Sequence, residues 1–286
     1  MERISSEQDN PYPDFVNRLR LLISKNPEII TLTLSNIFTM RLIGNKTHGD
    51  LAEIAISEFI NQYMYDFHSI HVGKDLYRAK KREEDIKVVN EITKTEFPIS
   101  LKAYGNGPLQ LSTNKSYTMF PRLSEEGVII TDRNRIFNVL DSSAFDDFYS
   151  ANVLPLIYDE KTKRCNIMVF DSVKARNAVA KITRIDHGHG RKHPVYLFYD
   201  SDDNYICEVR YGGASANALQ RGLWTHTIRA QKFFTSVTDG WIDYSHNKVL
   251  VKLFSCALVA SSSGHQTALD VINEDISKIK ESTQKR

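Results

Sequence analysis

The sequence predicts a mixed α/β protein, a central mixed β-sheet flanked by helices, with a β-rich second half. Three observations predict it. Residues 15–67 hold stretches with apolar residues at helical spacing. Within residues 96–105, Phe97 to Lys102 then alternates as a half-buried strand does, with Phe97, Ile99 and Leu101 on one face and Pro98, Ser100 and Lys102 on the other. From residue 128 onward, short apolar runs recur between turn residues.

Taken in order, residues 1–13 form a polar arm, and Phe15–Ser24 spaces Phe15, Leu19, Leu22 and Ile23 as an amphipathic helix. A second helix is expected over Pro27–Ile43. Thr47 is placed to cap a third, with Asp50 near its positive end, running from about Asp50 to Phe67. Its expected core stripe is Leu51, Ile54, Ala55, Phe59 and Tyr63. After the basic patch Arg78–Arg82, the run Glu84-Asp-Ile-Lys-Val-Val reads as a strand that brings Asp85 ahead of the 96–105 strand. Gly105-Asn-Gly-Pro ends the latter. Further strands are expected at 128–131, 153–158, 165–170, 195–199, 205–211 and 249–259, and helices at 219–234 and 267–281. No linker of biased composition and no internal repeat divides the chain. One domain over residues 1–286 is therefore expected, its helices and first strands in 1–127 and its β-rich part in 128–286.

Composition bounds the function without naming it. The chain has 286 residues, 41% hydrophobic and 25% charged, as ordinary folded proteins have. A net charge of +2 permits nucleic-acid partners without demanding them. Cys165, Cys207 and Cys256 lie far apart and offer neither a metal spacing nor an even disulfide set, so a reducing cytoplasm is the expected location. The polar start is not a signal peptide, and no apolar run has the length of a membrane span, so no membrane partner is expected.

Asp85 and Lys102 are the residues with a chemical message. Phosphodiester hydrolysis with a hard divalent cation needs carboxylate oxygens for the ion and a positive group near the attacked phosphate. These two supply one of each from neighbouring strands. Two residues before the lysine stands Ser100 in place of an acid. Glu96 cannot substitute, since at about 3.3 Å per residue it lies roughly 20 Å from Lys102. Glu53 on the third helix is the better second carboxylate. Glu58, five positions on, faces elsewhere. Each residue also has a plain structural explanation: turn chemistry for Asp85, a wet helix face for Glu53 and Glu58, a solvated strand end for Ser100 and Lys102.

In combination, Asp85, Ser100-Leu-Lys102 and Glu53 resemble the active-site signature of the PD-(D/E)xK nucleases, and in particular type II restriction endonucleases. Thr47-His-Gly-Asp-Leu-Ala-Glu-Ile-Ala-Ile-Ser-Glu-Phe is similar to the metal-site helix of the branch with serine before the lysine. The resemblance covers roughly residues 47–113. It implies a restriction-endonuclease-like fold and Mg²⁺-dependent, sequence-specific cleavage of double-stranded DNA. Asp85 and Glu53 would hold the metal, Lys102 would act on water and phosphate, and Ser100 would line the site. It also implies a homodimer on palindromic DNA and a cognate DNA methyltransferase that protects the host. That branch carries a further glutamate after the lysine. This chain has no acid between Lys102 and Glu125, and Gln110 is the neutral candidate in its place. A structure-selective repair nuclease of the same fold and a non-catalytic DNA-binding protein are the alternatives.

A second arrangement imitates the first. Glu208 and Arg210 share a strand face eight and ten residues after Asp200, with arginine replacing lysine. Arginine stays protonated and cannot take a proton, and Asp200-Ser-Asp-Asp-Asn reads more simply as a hairpin turn. The segment that follows is a candidate DNA-recognition element through Arg210, Asn217, Gln220 and Arg221, since arginine suits guanine and the amides suit adenine. Its structural alternative is a Gly-rich loop leading into a helix with Leu223 and Trp224 in the core. His187, His189 and His193 match no strong zinc spacing. With Arg191 and Lys192 they fit a basic loop on the DNA backbone.

Overall fold

The computed structural model describes residues 11–41, 48–71, 85–104, 108–114, 116–149, 152–159, 161–186, 193–210, 217, 220–238, 240–248, 251, 274 and 277–278. In chain order, helices α1 (Tyr12–Lys25), α2 (Glu28–Arg41) and α3 (His48–Tyr63) precede strands β1 (Phe67–His71), β2 (Ile86–Asn90), β3 (Glu96–Tyr104) and β4 (Pro108–Gln110). Next come α4 (Met119–Ser124), β5 (Ile129–Ile130), α5 (Arg133–Leu140) and the single turn α6 (Asp146–Tyr149). Strands β6 (Val153–Asp159) and β7 (Arg164–Phe170) lead to α7 (Ser172–Ala178). The described part closes with β8 (Lys181–Ile185), β9 (Val195–Tyr199), β10 (Tyr205–Arg210), β11 (Gly222–His226), β12 (Phe234–Ser236) and β13 (Ile242–Asp243). The protein is thus mixed α/β.

Two compact units divide these elements. The first comprises residues 1–105, 154–168 and 236–286, and the second comprises 106–153 and 169–235. The change of character expected at residue 127 therefore falls inside the second unit, and the chain passes between units more than once.

One sheet, most of whose residues belong to the first unit, runs β1-β2-β3-β6-β7-β12, with β13 also on β7. Strands β1, β2 and β3 pair antiparallel, with Ser69 opposite Val88 and Val88 opposite Phe97. Asn90 makes the β2–β3 turn: its side-chain oxygen accepts from the amides of Ile92 (2.9 Å) and Thr93 (3.1 Å), and Lys94 takes a positive φ of 59°. The period of two predicted over 97–101 holds, with Phe97, Ile99 and Leu101 buried, Pro98 exposed and Ser100 half-buried. Helix α1 covers the buried side, placing the Phe15 ring edge-on to Phe67 (5.3 Å) and Phe97 (5.7 Å). Helix α3 docks on the same side. Ser57 Oγ lies 3.0 Å from Ser69 Oγ, and the Asn61 amide takes both backbone groups of Ser69 (2.6 and 3.0 Å). Asn61 thus satisfies the Ser69 backbone on the edge of β1 that no strand among the described residues pairs.

The third helix differs from expectation at its end. It stops at Tyr63, and Phe67–His71 is a strand, because pairing with β2 and packing under Phe15 bury Phe67 while Tyr65 turns out, 96% exposed. Of its expected stripe, Leu51, Ile54 and Ala55 have side chains outside the described residues; Phe59 is buried and Tyr63 half-buried. Ile56, Ser57 and Ile60 are buried too.

The second unit's sheet has the order β4-β11-β10-β9-β8-β5. One face carries Tyr196, Phe198, Val209 and Leu223 under Phe120 of α4 and Phe145. The helix expected over 219–234 is not formed. Leu223 and Thr225 are fully buried while Trp224 and His226 are half-buried, a period of two, so this stretch is β11. A turn, a 3₁₀ turn at Gln231–Phe233 and β12 follow it. Gly222 opens β11 with φ +127°, a conformation that side chains rarely adopt. A Cβ there would stand 2.2 Å from the Ser112 carbonyl oxygen and 2.8 Å from the Asn114 amide nitrogen. Gly222→Ala is expected to destabilise the protein by about 3 kcal/mol through backbone strain and overlap together, read as a lower denaturant midpoint.

Of the strand expected at 249–259 only Val251 is described, and it is helical, its amide donating to the Asn247 carbonyl (3.0 Å). Of the helix expected at 267–281, Glu274, Ser277 and Lys278 are described and are helical. No helix among the described residues is long and apolar enough to cross a membrane.

Candidate functional site

The β2–β3 hairpin brings Asp85 to Ser100. Ile86 pairs with Ile99, so the residue before β2 reaches the outward-facing Ser100 on β3. The Asp85 amide donates to the Ile99 carbonyl (3.3 Å), and its Oδ2 accepts from Ser100 Oγ (3.0 Å) and from the Leu101 amide (2.6 Å). The carboxylate therefore stands where the β2 ladder ends and supplies the acceptor that the Leu101 amide needs. These bonds orient a half-buried acid at the rim of the sheet. A half-buried carboxylate beside a hydroxyl is a hard-oxygen set, which suits Mg²⁺ better than a soft metal.

The strand continues to Lys102, which the pleat places on the Ser100 side of β3. On α3, position 53 shares the helical face of Ser57 and Ile60, while Glu58 is exposed. That face packs on the apolar side of the sheet, away from Ser100. The side chains of Glu53 and Lys102 lie outside the described residues, and among those described no three His, Cys, Asp or Glu gather. The pair Asp85–Ser100 is thus the described portion of the predicted site. Glu96 forms an ion pair with Lys87 at the other end of the hairpin. Gln110 belongs to the second unit, where its amide donates to Thr113 Oγ1 (3.1 Å) and to the Arg221 carbonyl (3.3 Å).

The imitating arrangement in the second unit has a different character. Asp200 does make the β9–β10 turn: Oδ1 accepts from the amides of Asp202 (3.0 Å) and Asn204 (2.8 Å), and Lys232 pairs with Oδ2. Burial alone would raise its carboxyl pKa, but Lys232 and the Asn204 and Asp202 donors hold it below the usual range. A depressed pKa stabilises the fold above the unfolded value of about 3.9, and that stability is lost as pH falls through the folded value. The stability difference between wild type and Asp200→Asn is accordingly expected to be full at neutral pH and to shrink below about pH 4, as acid-dependent urea titrations would measure.

Glu208 is fully buried, and Arg210 Nε donates to its carboxylate while the guanidinium stacks 4.7 Å over Trp224. Around this pair stand groups that sequence reasoning missed. Tyr205 lies under the Arg229 guanidinium at 4.0 Å, and burial raises its phenol pKa. Burial, then Arg229 and Arg210, lowers the pKa of His226, against a smaller opposite pull from Glu208. The Tyr205 hydroxyl and His226 Nδ1 are buried without a hydrogen-bond partner. Strand alternation alone hides this grouping, because a register slip between Tyr205 and Cys207 moves Tyr205 to the Glu208 side.

Of the proposed DNA-reading residues, Arg210 is engaged with Glu208. Asn217 and Gln220 are exposed, and the Gln220 amide donates to the Asn217 carbonyl (2.9 Å). Arg221 is half-buried and stacks 4.9 Å over Tyr117. His189, Arg191, Lys192, His187 and the Arg78–Arg82 patch lie outside the described residues. Cys165 and Cys207 are buried thiols, and burial pushes the Cys165 thiol up to about 12. Comparison with protein-family models, with curated proteins and with solved structures finds no match.

Proposed function

We propose that this protein is a Mg²⁺-dependent endonuclease that hydrolyses double-stranded DNA at a short specific site, in the manner of type II restriction enzymes. One observation carries the reading: the hairpin sets the Asp85 carboxylate on Ser100 Oγ and the Leu101 amide, with Lys102 next along the same side of β3. Mg²⁺, when bound, supplies Lewis acidity at the phosphate and a more acidic water. Asp85 offers it a pre-oriented carboxylate, and Ser100 fixes that orientation. Lys102 places a positive charge where negative charge develops on the phosphate and orients the attacking water. The reading includes a homodimer on palindromic DNA, with a methyltransferase guarding the host sites.

The test is incubation of the whole chain with a long defined DNA, with Mg²⁺ or with EDTA. Discrete fragments in Mg²⁺ alone support the reading. Metal-dependent degradation without discrete fragments replaces it with a structure-selective nuclease. Binding of several unmodified DNAs without cleavage replaces it with a non-catalytic DNA-binding protein.

A further inference from the structure

The second sheet of this protein carries, on the side opposite Tyr196 and Phe198, two buried polar atoms without a hydrogen-bond partner, the Tyr205 hydroxyl and His226 Nδ1, beside the exposed Arg229 guanidinium. Glu208 pairs across with Trp224 and Leu197, so these three share a face. His226, two residues beyond Trp224, shares it as well. The slip in register sets Tyr205 opposite Tyr199, two places from Leu197, and so brings Tyr205 to that face. After β11 the chain turns back, the Ala230 amide donating to the His226 carbonyl (2.8 Å), and this turn lays Arg229 on the Tyr205 ring.

Charge and hydrogen bonding do not balance within this group. The Glu208 carboxylate is paired with Arg210, and no carboxylate among the described residues pairs with Arg229. Tyr205 is only 5% exposed, yet its hydroxyl has no partner, and neither has the buried Nδ1 of His226. Buried polar atoms are normally satisfied, so such a set marks a place where a partner from outside belongs. The unbalanced charge is positive, which makes that partner an anion. A guanidinium, a phenol and an imidazole come from a turn and two strands rather than from one plane. A phosphate offers enough acceptor oxygens for a guanidinium fork and for further donors besides.

We propose that Tyr205, His226 and Arg229 form a phosphate-binding site, and, resting on the nuclease reading, that the phosphate belongs to the DNA backbone. The Glu208–Arg210 pair, braced by Trp224, is the floor that positions them.

The test uses the full chain in EDTA, so that binding is read apart from cleavage, with a short DNA duplex and with inorganic phosphate as probes. Tyr205→Phe removes only the unsatisfied hydroxyl and is expected to fold as stably as wild type, and Arg229→Ala alters an exposed side chain. For the duplex, Arg229→Ala is expected to weaken affinity about tenfold and to reduce the slope of log affinity against log salt by about 0.9, one phosphate contact. Tyr205→Phe is expected to weaken it about threefold with the slope unchanged. Inorganic phosphate is expected to raise the thermal midpoint of wild type over chloride at equal ionic strength, and less so for either variant. If phosphate protects in this way but wild type does not bind duplex, the anion site stands with free phosphate as its ligand and the DNA reading fails. If both variants keep wild-type duplex affinity, slope and phosphate response, the site is refuted while the nuclease reading is untouched.

Discussion

Lys102→Ala is expected to lower Mg²⁺-dependent DNA cleavage about 10³-fold, with duplex affinity in EDTA and the unfolding midpoint within error of wild type. The size follows from removing a positive group from the reacting phosphate. The specificity follows from its place near the end of β3, beyond the last residue that pairs with β2. Ser100→Ala provides the graded companion. Its hydroxyl donates to Asp85 Oδ2, but the Leu101 amide donates to the same oxygen and remains. One of the two described bonds to that oxygen is then lost, and a loss of about tenfold in activity is expected, with a higher Mg²⁺ requirement, as when a group behind a metal ligand is removed. Asp85→Asn keeps an oxygen acceptor for Leu101 but removes the charge, so it separates the structural use of Asp85 from its chemical use. If it unfolds normally and cleaves normally, Asp85 is only the end of a β-ladder and the proposed site is wrong. Single-turnover cleavage beside denaturant unfolding decides each case.

What the sequence disclosed depended on how local the determining physics is. The β3 alternation is read from neighbouring residues, and the burial of Phe97, Ile99 and Leu101 follows it. α1 and the strands at 195–199 and 165–170 are legible for the same reason, each carrying its own apolar pattern. The β1 strand was not legible. Phe67 continues the helical spacing of the preceding segment, and only its pairing with Asn90 and contact with Phe15 make it a strand. At 219–234 the helical reading counted Leu223 and Trp224 as one face, although Gly222 at the entry and the Thr225–Thr227 pair favour a strand. The meeting of Asp85 with Ser100 was foreseeable from two adjacent strands. The Tyr205–His226–Arg229 group was not, since it depends on a one-residue register slip and a turn that folds Arg229 back.

The same contrast separates the two acid–base pairs that the sequence offers as active sites, and it gives the largest expected effect on stability. Glu208 is fully buried against Arg210, whereas Asp85 is half-buried at a sheet rim. Removing one member of a buried ion pair leaves the other charged and desolvated, so Glu208→Ala and Arg210→Ala are each expected to cost about 3–5 kcal/mol. Replacing both at once, as Glu208→Leu with Arg210→Met, leaves no buried charge to compensate, and most of that loss is expected to return. Such recovery would show that the fold does not require the pair. Cleavage per folded molecule is then the deciding quantity. If the double variant folds and still cuts DNA in Mg²⁺, the chemistry does not reside at Glu208 and Arg210. If it folds, binds duplex and no longer cuts while Lys102→Ala does, the active site belongs on the second sheet, and Asp85 with Ser100 is left as the closing clamp of a hairpin.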